Sequence, residues 1–186
     1  MSYSIQPSKQ VIEKARTKVD TVLQTCEAVL PKDEDYEILL GSDDIFQSQA
    51  LDETAIAVRF NSSEDDWQEK LGAVTARGYA ESWMEEYKDP VFHWEQLLVL
   101  GQALNFAENI TGLEPELDDM ETLKDNWLDM REELGEHKTV ESEILNAYGF
   151  SLAYVLADEL LENHGYTEFP EFTKSDLVDA GDKLFT

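Results

Sequence analysis

The sequence has one cysteine, few basic residues and no long apolar run, and each shortage excludes a class of protein. Cys26 is the only cysteine among 186 residues, so the chain can form neither an internal disulfide nor a zinc knuckle built from thiolates. A lone cysteine fits a reducing cytosol. The N-terminal segment lacks the apolar run of a signal peptide, and no window approaches the ~20 apolar residues of a membrane span. We therefore expect a cytoplasmic protein without a membrane partner.

Acidic residues dominate the composition. The chain has 41 Asp and Glu residues against 14 Lys and Arg residues, a net charge of −27 that is spread over nearly every segment. Three interpretations remain open: a halophilic protein in a salt-rich cytoplasm that screens surface repulsion, an acidic decoy that mimics DNA, and an acidic surface for a basic partner or for solubility. Direct binding to nucleic acid is disfavoured because like charges repel before contact.

The length and the hydrophobic content predict one folded domain over residues 1–186. Four Trp, seven Tyr and eight Phe supply enough large apolar side chains to offset the entropy of ordering the chain. Apolar residues recur every three or four positions over 8–30, and Pro31 ends that stripe. The pattern predicts an α+β fold that is mostly helical, with a sheet of two or three strands. We expect strands at 36–41 and 54–60, and helices at 8–30, 62–87, 91–111, 117–135, 140–164 and after Thr173.

Three of these helical segments together resemble a known family. They read VTARGYAESWMEEY (74–87), LLVLGQALNFAENITG (97–112) and LNAYGFSLAYVLADELLENHG (145–165). Their order and spacing are similar to those of a family of small predicted zinc-dependent peptidases of the gluzincin kind. The resemblance implies a zincin-like fold, with helices packed on a small sheet whose edge strand lies on the substrate side.

The metal ligands of that family are absent from this sequence. Its first helix carries H-E-x-x-H, which places two imidazoles on one helix face and a general base between them. The resemblance puts Arg77 at the first His, Gly78 at the catalytic Glu and Glu81 at the second His, while Leu100 occupies the position of the ligand Glu on the second helix. We therefore predict no metal, no cofactor and no peptidase activity.

The residues that replace the ligands suggest a structural role. Arg77 and Glu81 are opposite charges at i and i+4, so we predict an ion pair on the face that holds zinc in the family. The alternative is that both are solvated surface residues.

Aromatic residues and one histidine are candidates for lining a cleft. His93 has a second interpretation, in which it joins Glu81 and Glu85 in an unrelated metal site. The cleft candidates are Trp83, His93, Tyr148 and Tyr154.

Two functions from different classes follow. The first is a non-catalytic pseudo-peptidase scaffold that binds a peptide or a protein partner, with a regulatory role in a high-salt cytoplasm. The alternative is an acidic decoy or inhibitor of a basic nucleic-acid-binding protein, which predicts a continuous acidic ridge with phosphate-like spacing. The oligomeric state stays open.

Overall fold

The computed structural model describes residues 7–32, 35–52, 54–87, 90–136 and 144–186. The fold is mostly helical with a small three-stranded mixed sheet, which confirms the predicted α+β class with its excess of helix. Two compact units make up the chain: Met1–Trp83 with Ala107–Leu113, and Met84–Phe106 with Glu114–Thr186. One domain over the whole chain stays a prediction.

The first unit begins with helix α1, Lys9–Val29. The Ser8 hydroxyl caps it by accepting from the N–H of Val11 at 3.3 Å, and the predicted apolar stripe forms its buried face. Cys26 lies on that face with no exposed surface, and burial raises the pKa of its thiol to about 12. The helix ends just before Pro31, as the sequence predicts.

The sheet has three strands: β1 (Glu37–Ser42), β2 (Gln47–Asp52) and β3 (Ala55–Phe60). The central strand is β3, which pairs in parallel with β1 and antiparallel with β2. The two predicted strands correspond to β1 and β3. The third strand, β2, forms in the segment between them, so the sheet has three strands, within the predicted two or three. The sequence of β2, QSQALD, has no β-branched residue, and its pairing with β3 supplies the order that propensity does not.

Helix α2 spans Trp67–Glu85. It begins five residues later than the start at residue 62 that the sequence predicts. The Asn61 side chain accepts from the N–H of Ser63 at 3.1 Å and from its hydroxyl at 2.5 Å. An Asn side chain that accepts a hydrogen bond from the backbone N–H two residues later in the chain forms a turn, and this turn competes with the helical conformation. Further along α2, the Tyr79 hydroxyl donates to the carbonyl of Leu30 at 2.5 Å within the buried core of this unit.

The second unit contains helices, and no strand of the sheet, in its described part. Helix α3 spans His93–Thr111. Its residues up to Phe106 belong to the second unit and those from Ala107 belong to the first. A 3-10 helix over Tyr166–Glu171 was not predicted. Three further helices are α4 (Met120–Glu133), α5 (Ile144–Leu161) and α6 (Lys174–Phe185). The predicted start of α5 at residue 140 falls outside the described residues.

Close contacts hold these helices together. The first two N–H groups of α3, from His93 and Trp94, donate to the carbonyls of Glu136 and Leu134 at 3.2 Å each. These bonds satisfy donors that a helix start leaves unpaired. Gly181 of α6 lies directly against the ring of Trp127, which is fully buried on α4. Within the described residues, no helix has both the length and the apolar character needed to cross a membrane.

Candidate functional site

Helix α2 holds Arg77 and Glu81 in the predicted ion pair. The Arg77 Nε lies 2.7 Å from Glu81 Oε1, and the side chains are 25% and 13% exposed. This confirms the ion pair and rules out the alternative of two solvated surface residues. That the pair fills the place of a lost metal stays a prediction.

The environment of Glu81 opposes its charge. Burial raises the pKa of this carboxyl, and the charge and hydrogen bond of Arg77 offset that effect only in part. Desolvation thus outweighs the guanidinium, as it often does for ion pairs removed from water. Glu81 is therefore a partly buried carboxylate whose charge Arg77 compensates.

Gly78 has no room for a side chain. A Cβ there would lie 2.8 Å from both Ile56 Cγ2 on β3 and Ser48 Cβ on β2. Ser48 is itself buried, and its hydroxyl has no hydrogen-bond partner among the described residues. The position of the family's general base is therefore a point of close contact between α2 and the sheet.

Leu100, which the resemblance places at the third ligand position, is a core residue of the second unit. It is 6% exposed, and the neighbouring Gly101 packs against the backbone carbonyl of Ala153 on α5. The amide of Asn105 donates at 2.9 Å to the carbonyls of both Gly101 and Tyr154, which ties α3 to α5. An apolar, close-packed contact occupies this position, with no oxygen ligand on the Leu100 side chain.

Two of the predicted cleft residues, Trp83 and His93, are buried and lie within hydrogen-bond distance of backbone carbonyls that are distant in the chain. Trp83 is 3% exposed and donates its indole N–H to the Pro31 carbonyl at 3.0 Å. His93 is also 3% exposed, with Nδ1 3.1 Å from the carbonyl of Glu133 and Nε2 unpartnered among the described residues. Tyr154 is half-buried, and the side chain of Tyr148 lies outside the described residues. A cleft lined by these four stays a prediction.

The alternative metal site has no counterpart in the described part of the chain. No group of three or more His, Cys, Asp or Glu side chains lies there in an arrangement that could hold a metal ion. The interpretation of His93 with Glu81 and Glu85 as metal ligands is therefore not supported.

The sheet presents a feature that the sequence did not reveal, a regular free edge on β1. The N–H groups of Glu37 and Asp43 donate to Thr54 and Phe60 at 2.7 and 2.9 Å. Because bonding residues alternate along a strand, Ile38, Leu40 and Ser42 direct their N–H and C=O groups away from β3. Within the described residues the sheet ends at β1, so these groups have no ladder partner.

The two edges of the sheet differ in regularity. All six residues of β1 pair in register with β3, whereas β2 carries an irregularity between Ala50 and Asp52. Bulges, lysines and prolines are the usual protection of edge strands against pairing with other chains. The sequence of β1, EILLGS, contains none of them.

The outer face of the sheet carries both apolar and charged residues. A shallow depression of about 410 Å³ lies at the β1 side of it, and Leu39 beside it is 46% exposed. The Arg59 guanidinium lies 3.5 Å from the carboxylate of Asp43. By strand register the outward residues are Glu37, Leu39, Gly41, Gln47, Gln49, Ala55, Ala57 and Arg59, and Asp52 is the register partner of Ala55.

On the inner side, a groove of about 630 Å³ separates β1 from α1. Leu23 of α1 and Ile38 of β1 contribute apolar side chains to its lining, and Tyr36 lines it as well. The Tyr36 hydroxyl donates to Glu27 at 2.6 Å, and burial together with that carboxylate raises the Tyr36 pKa. Sequence reasoning missed this groove because it depends on where α1 lies beside β1; the only local signal was the apolar run EILL.

Comparison with known proteins gives no relative from which a role can be transferred. No family model matches the chain, and no curated protein or solved structure matches it either.

Proposed function

We propose that this chain is a non-catalytic, pseudo-peptidase-like scaffold that binds a protein or peptide partner in a high-salt cytoplasm. The partner contributes an extended segment that adds a strand to the free edge of β1. The observation that carries the proposal is this edge: six residues in regular register with β3, with no ladder partner on their other side among the described residues, and without proline, lysine or bulge. Strand addition to such an edge is a common mode of peptide recognition.

The positions of the former ligands support the absence of catalysis. Arg77 and Glu81 neutralise each other, Gly78 packs against the sheet, and Leu100 lies in an apolar core. None of these residues leaves a carboxylate or imidazole set for activating water. A resemblance to gluzincin peptidases therefore supports a shared scaffold and not a shared reaction.

The outer face of the sheet offers apolar contact beside the edge. Leu39 on β1 is 46% exposed and is available to alternate side chains of an added strand. Main-chain bonds and apolar contacts survive high salt, in contrast to exposed ion pairs.

The test uses a short synthetic peptide in which glutamine and valine alternate, and two variants at one position. Leu40→Pro removes one outward N–H, while Leu40→Ala keeps it and removes most of the same side chain. We expect Leu40→Ala to bind the peptide within a few-fold of the native chain and Leu40→Pro to lose binding. Equal binding by the two variants, or no binding by the native chain, overturns the proposal.

Amide hydrogen exchange gives an independent measurement. In the free protein, the N–H groups of Leu39 and Gly41 should be protected by β3, and those of Ile38, Leu40 and Ser42 should exchange fast. Bound peptide should slow the second set alone. A change confined to the first set would mean that the peptide does not add to this edge.

A second candidate function, the acidic decoy, is favoured by a ridge on α4. Its carboxylates at Glu121, Asp125, Asp129 and Glu132 are all exposed and fall on one helix face. They repeat about every 5 Å along the helix, against ~3.4 Å per phosphate along one DNA strand. The test is competition with duplex DNA for a lysine-rich DNA-binding protein. Loss of competition on neutralising these four residues supports the decoy, and unchanged competition excludes α4 as its surface.

A further inference from the structure

We infer that the segment bound at β1 is basic, and that its arginine or lysine side chains enter the groove between α1 and β1. This inference rests on the proposed strand addition and specifies the chemistry of the partner. Three observations carry it: the position of the groove beside the free edge, the charges in its walls, and the commitment of its one cation to other groups.

The groove lies where alternate side chains of an added strand must point. Ile38 and Leu40 face the same side as the buried Ile56 and Val58 of β3, so every second residue of an added strand faces that side too. The groove opens at this side and is walled by Leu23 of α1. The apolar wall suits the aliphatic stem of a long basic side chain.

Carboxylates outnumber cations in the groove. Asp20, Glu27 and Asp35 line it against one lysine, Lys32. The side-chain carboxylates of Asp20 and Asp35 have no hydrogen bond or ion pair within the described residues. Two exposed carboxylates are therefore available to a guanidinium or ammonium group, and Glu27 is held in place by the Tyr36 hydroxyl.

Lys32 forms no ion pair with Asp20, Glu27 or Asp35 within the described residues. Its ammonium donates to the Ser82 hydroxyl at 2.9 Å and lies 3.3 Å from the Ser82 carbonyl oxygen. It also sits 5.8 Å from the centre of the Tyr36 ring, over its face. These contacts hold the ammonium beside Ser82 and Tyr36.

The same charge argues against a second copy as the occupant. Pairing β1 with β1 of another copy would bring together two chains of charge −27, each with an acidic groove beside the edge. Like charges across an interface disfavour that contact. A basic segment gains attraction at the same place.

The test compares three synthetic peptides of equal length in which valine alternates with arginine, glutamine or glutamate. We expect the arginine peptide to bind about tenfold more tightly than the glutamine peptide at low salt, and the glutamate peptide to bind most weakly. Molar KCl should reduce the arginine preference while leaving binding of the glutamine peptide.

A double variant locates the preference. Asp20→Asn with Asp35→Asn should remove most of the arginine preference, whereas the matched pair Asp125→Asn with Asp129→Asn on α4 should leave it intact. Equal binding of arginine and glutamine peptides, both abolished by Leu40→Pro, overturns this inference and leaves the strand addition standing. Binding of no peptide overturns both. An arginine preference lost equally in the two double variants means that net charge alone is responsible, and it also overturns the inference.

Discussion

Helices α2 and α3 each carry a glycine near a position that the peptidase resemblance assigns to a catalytic group. Gly78 on α2 is at such a position, Gly101 on α3 follows one, and the two glycines have different neighbours. Gly78 on α2 faces side chains of the sheet, and the adjacent Arg77 and Glu81 remain polar and partly accessible. Gly101 on α3 faces the backbone of α5, beside the buried Leu100. The difference teaches that the two helix positions to which the resemblance assigns catalytic groups are filled in distinct ways, one by compensated charge and one by core packing.

The largest effect should come from Gly101→Ala, which tests the packed position. The added Cβ would meet the Ala153 carbonyl and would lie 2.7 Å from the Ala157 Cβ. A backbone atom cannot move aside cheaply, so we expect a loss of more than about 3 kcal/mol in the free energy of unfolding. Urea unfolding measures it. Gly72→Ala on α2 is the control, because its nearest neighbour is the flexible end of Lys18; a gain of up to about 1 kcal/mol is expected there.

A smaller loss is expected for Gly78→Ala. The neighbours of the new Cβ are the side chains of Ile56 and Ser48, which can shift more readily than backbone. We expect a net cost of about 2 kcal/mol, after the better helix propensity of alanine is included. If Gly78→Ala proved as costly as Gly101→Ala, the distinction between the two positions would collapse.

Arg77→Ala should cost less again, about 1 to 2 kcal/mol at neutral pH, because it leaves the buried Glu81 carboxylate without its cation. Thermal unfolding of both single variants and of Arg77→Ala with Glu81→Ala gives the coupling between the two residues. An additive double variant would mean that the two charges do not interact energetically, despite their 2.7 Å separation.

The smallest effect is a pH dependence carried by Glu81. A carboxyl whose pKa is raised by folding stabilises the fold below its unfolded pKa, near about 4.3, and loses that contribution as pH rises through the folded pKa. The stability of the native chain relative to Glu81→Gln should therefore fall between acid and neutral pH.

Asp176→Asn is the control of opposite sign. A hydrogen bond from the Thr173 hydroxyl and one from its N–H lower the pKa of Asp176. Its contribution is present above the unfolded pKa and is lost as pH falls through the folded one. The stability of the native chain relative to this variant should rise with pH. Two slopes of the same sign would contradict the burial assigned to Glu81.

The sequence predicted those parts of the molecule that depend on local pattern. The stripe of α1, the apolar runs of β1 and β3 and the i, i+4 spacing of Arg77 and Glu81 all have a short-range cause. Strand β2 was missed because its order comes from pairing with β3, and the helix start at Trp67 was missed because Asn61 favours a turn.

The groove and the free edge could not be predicted from pattern. Leu23 and Ile38 are separated in the chain by a segment that contains Pro31, and only the placement of α1 beside the sheet brings them to one cavity. Likewise, nothing in EILLGS tells which side of the strand pairs with β3. These features depend on contacts between distant residues, which periodicity does not encode.

The burial of Cys26 makes its labelling rate a measure of how often helix α1 opens. Its thiol is shielded, and at a pKa of about 12 almost none of it is thiolate at neutral pH, so alkylating reagents react only while α1 is transiently detached. The rate of labelling therefore reports how often that helix opens. Leu23 on the same helix lines the groove, so an occupant that bridges α1 and β1 would slow the labelling of Cys26. Because Cys26 is shielded, a fluorophore would react only with a second cysteine introduced at an exposed position.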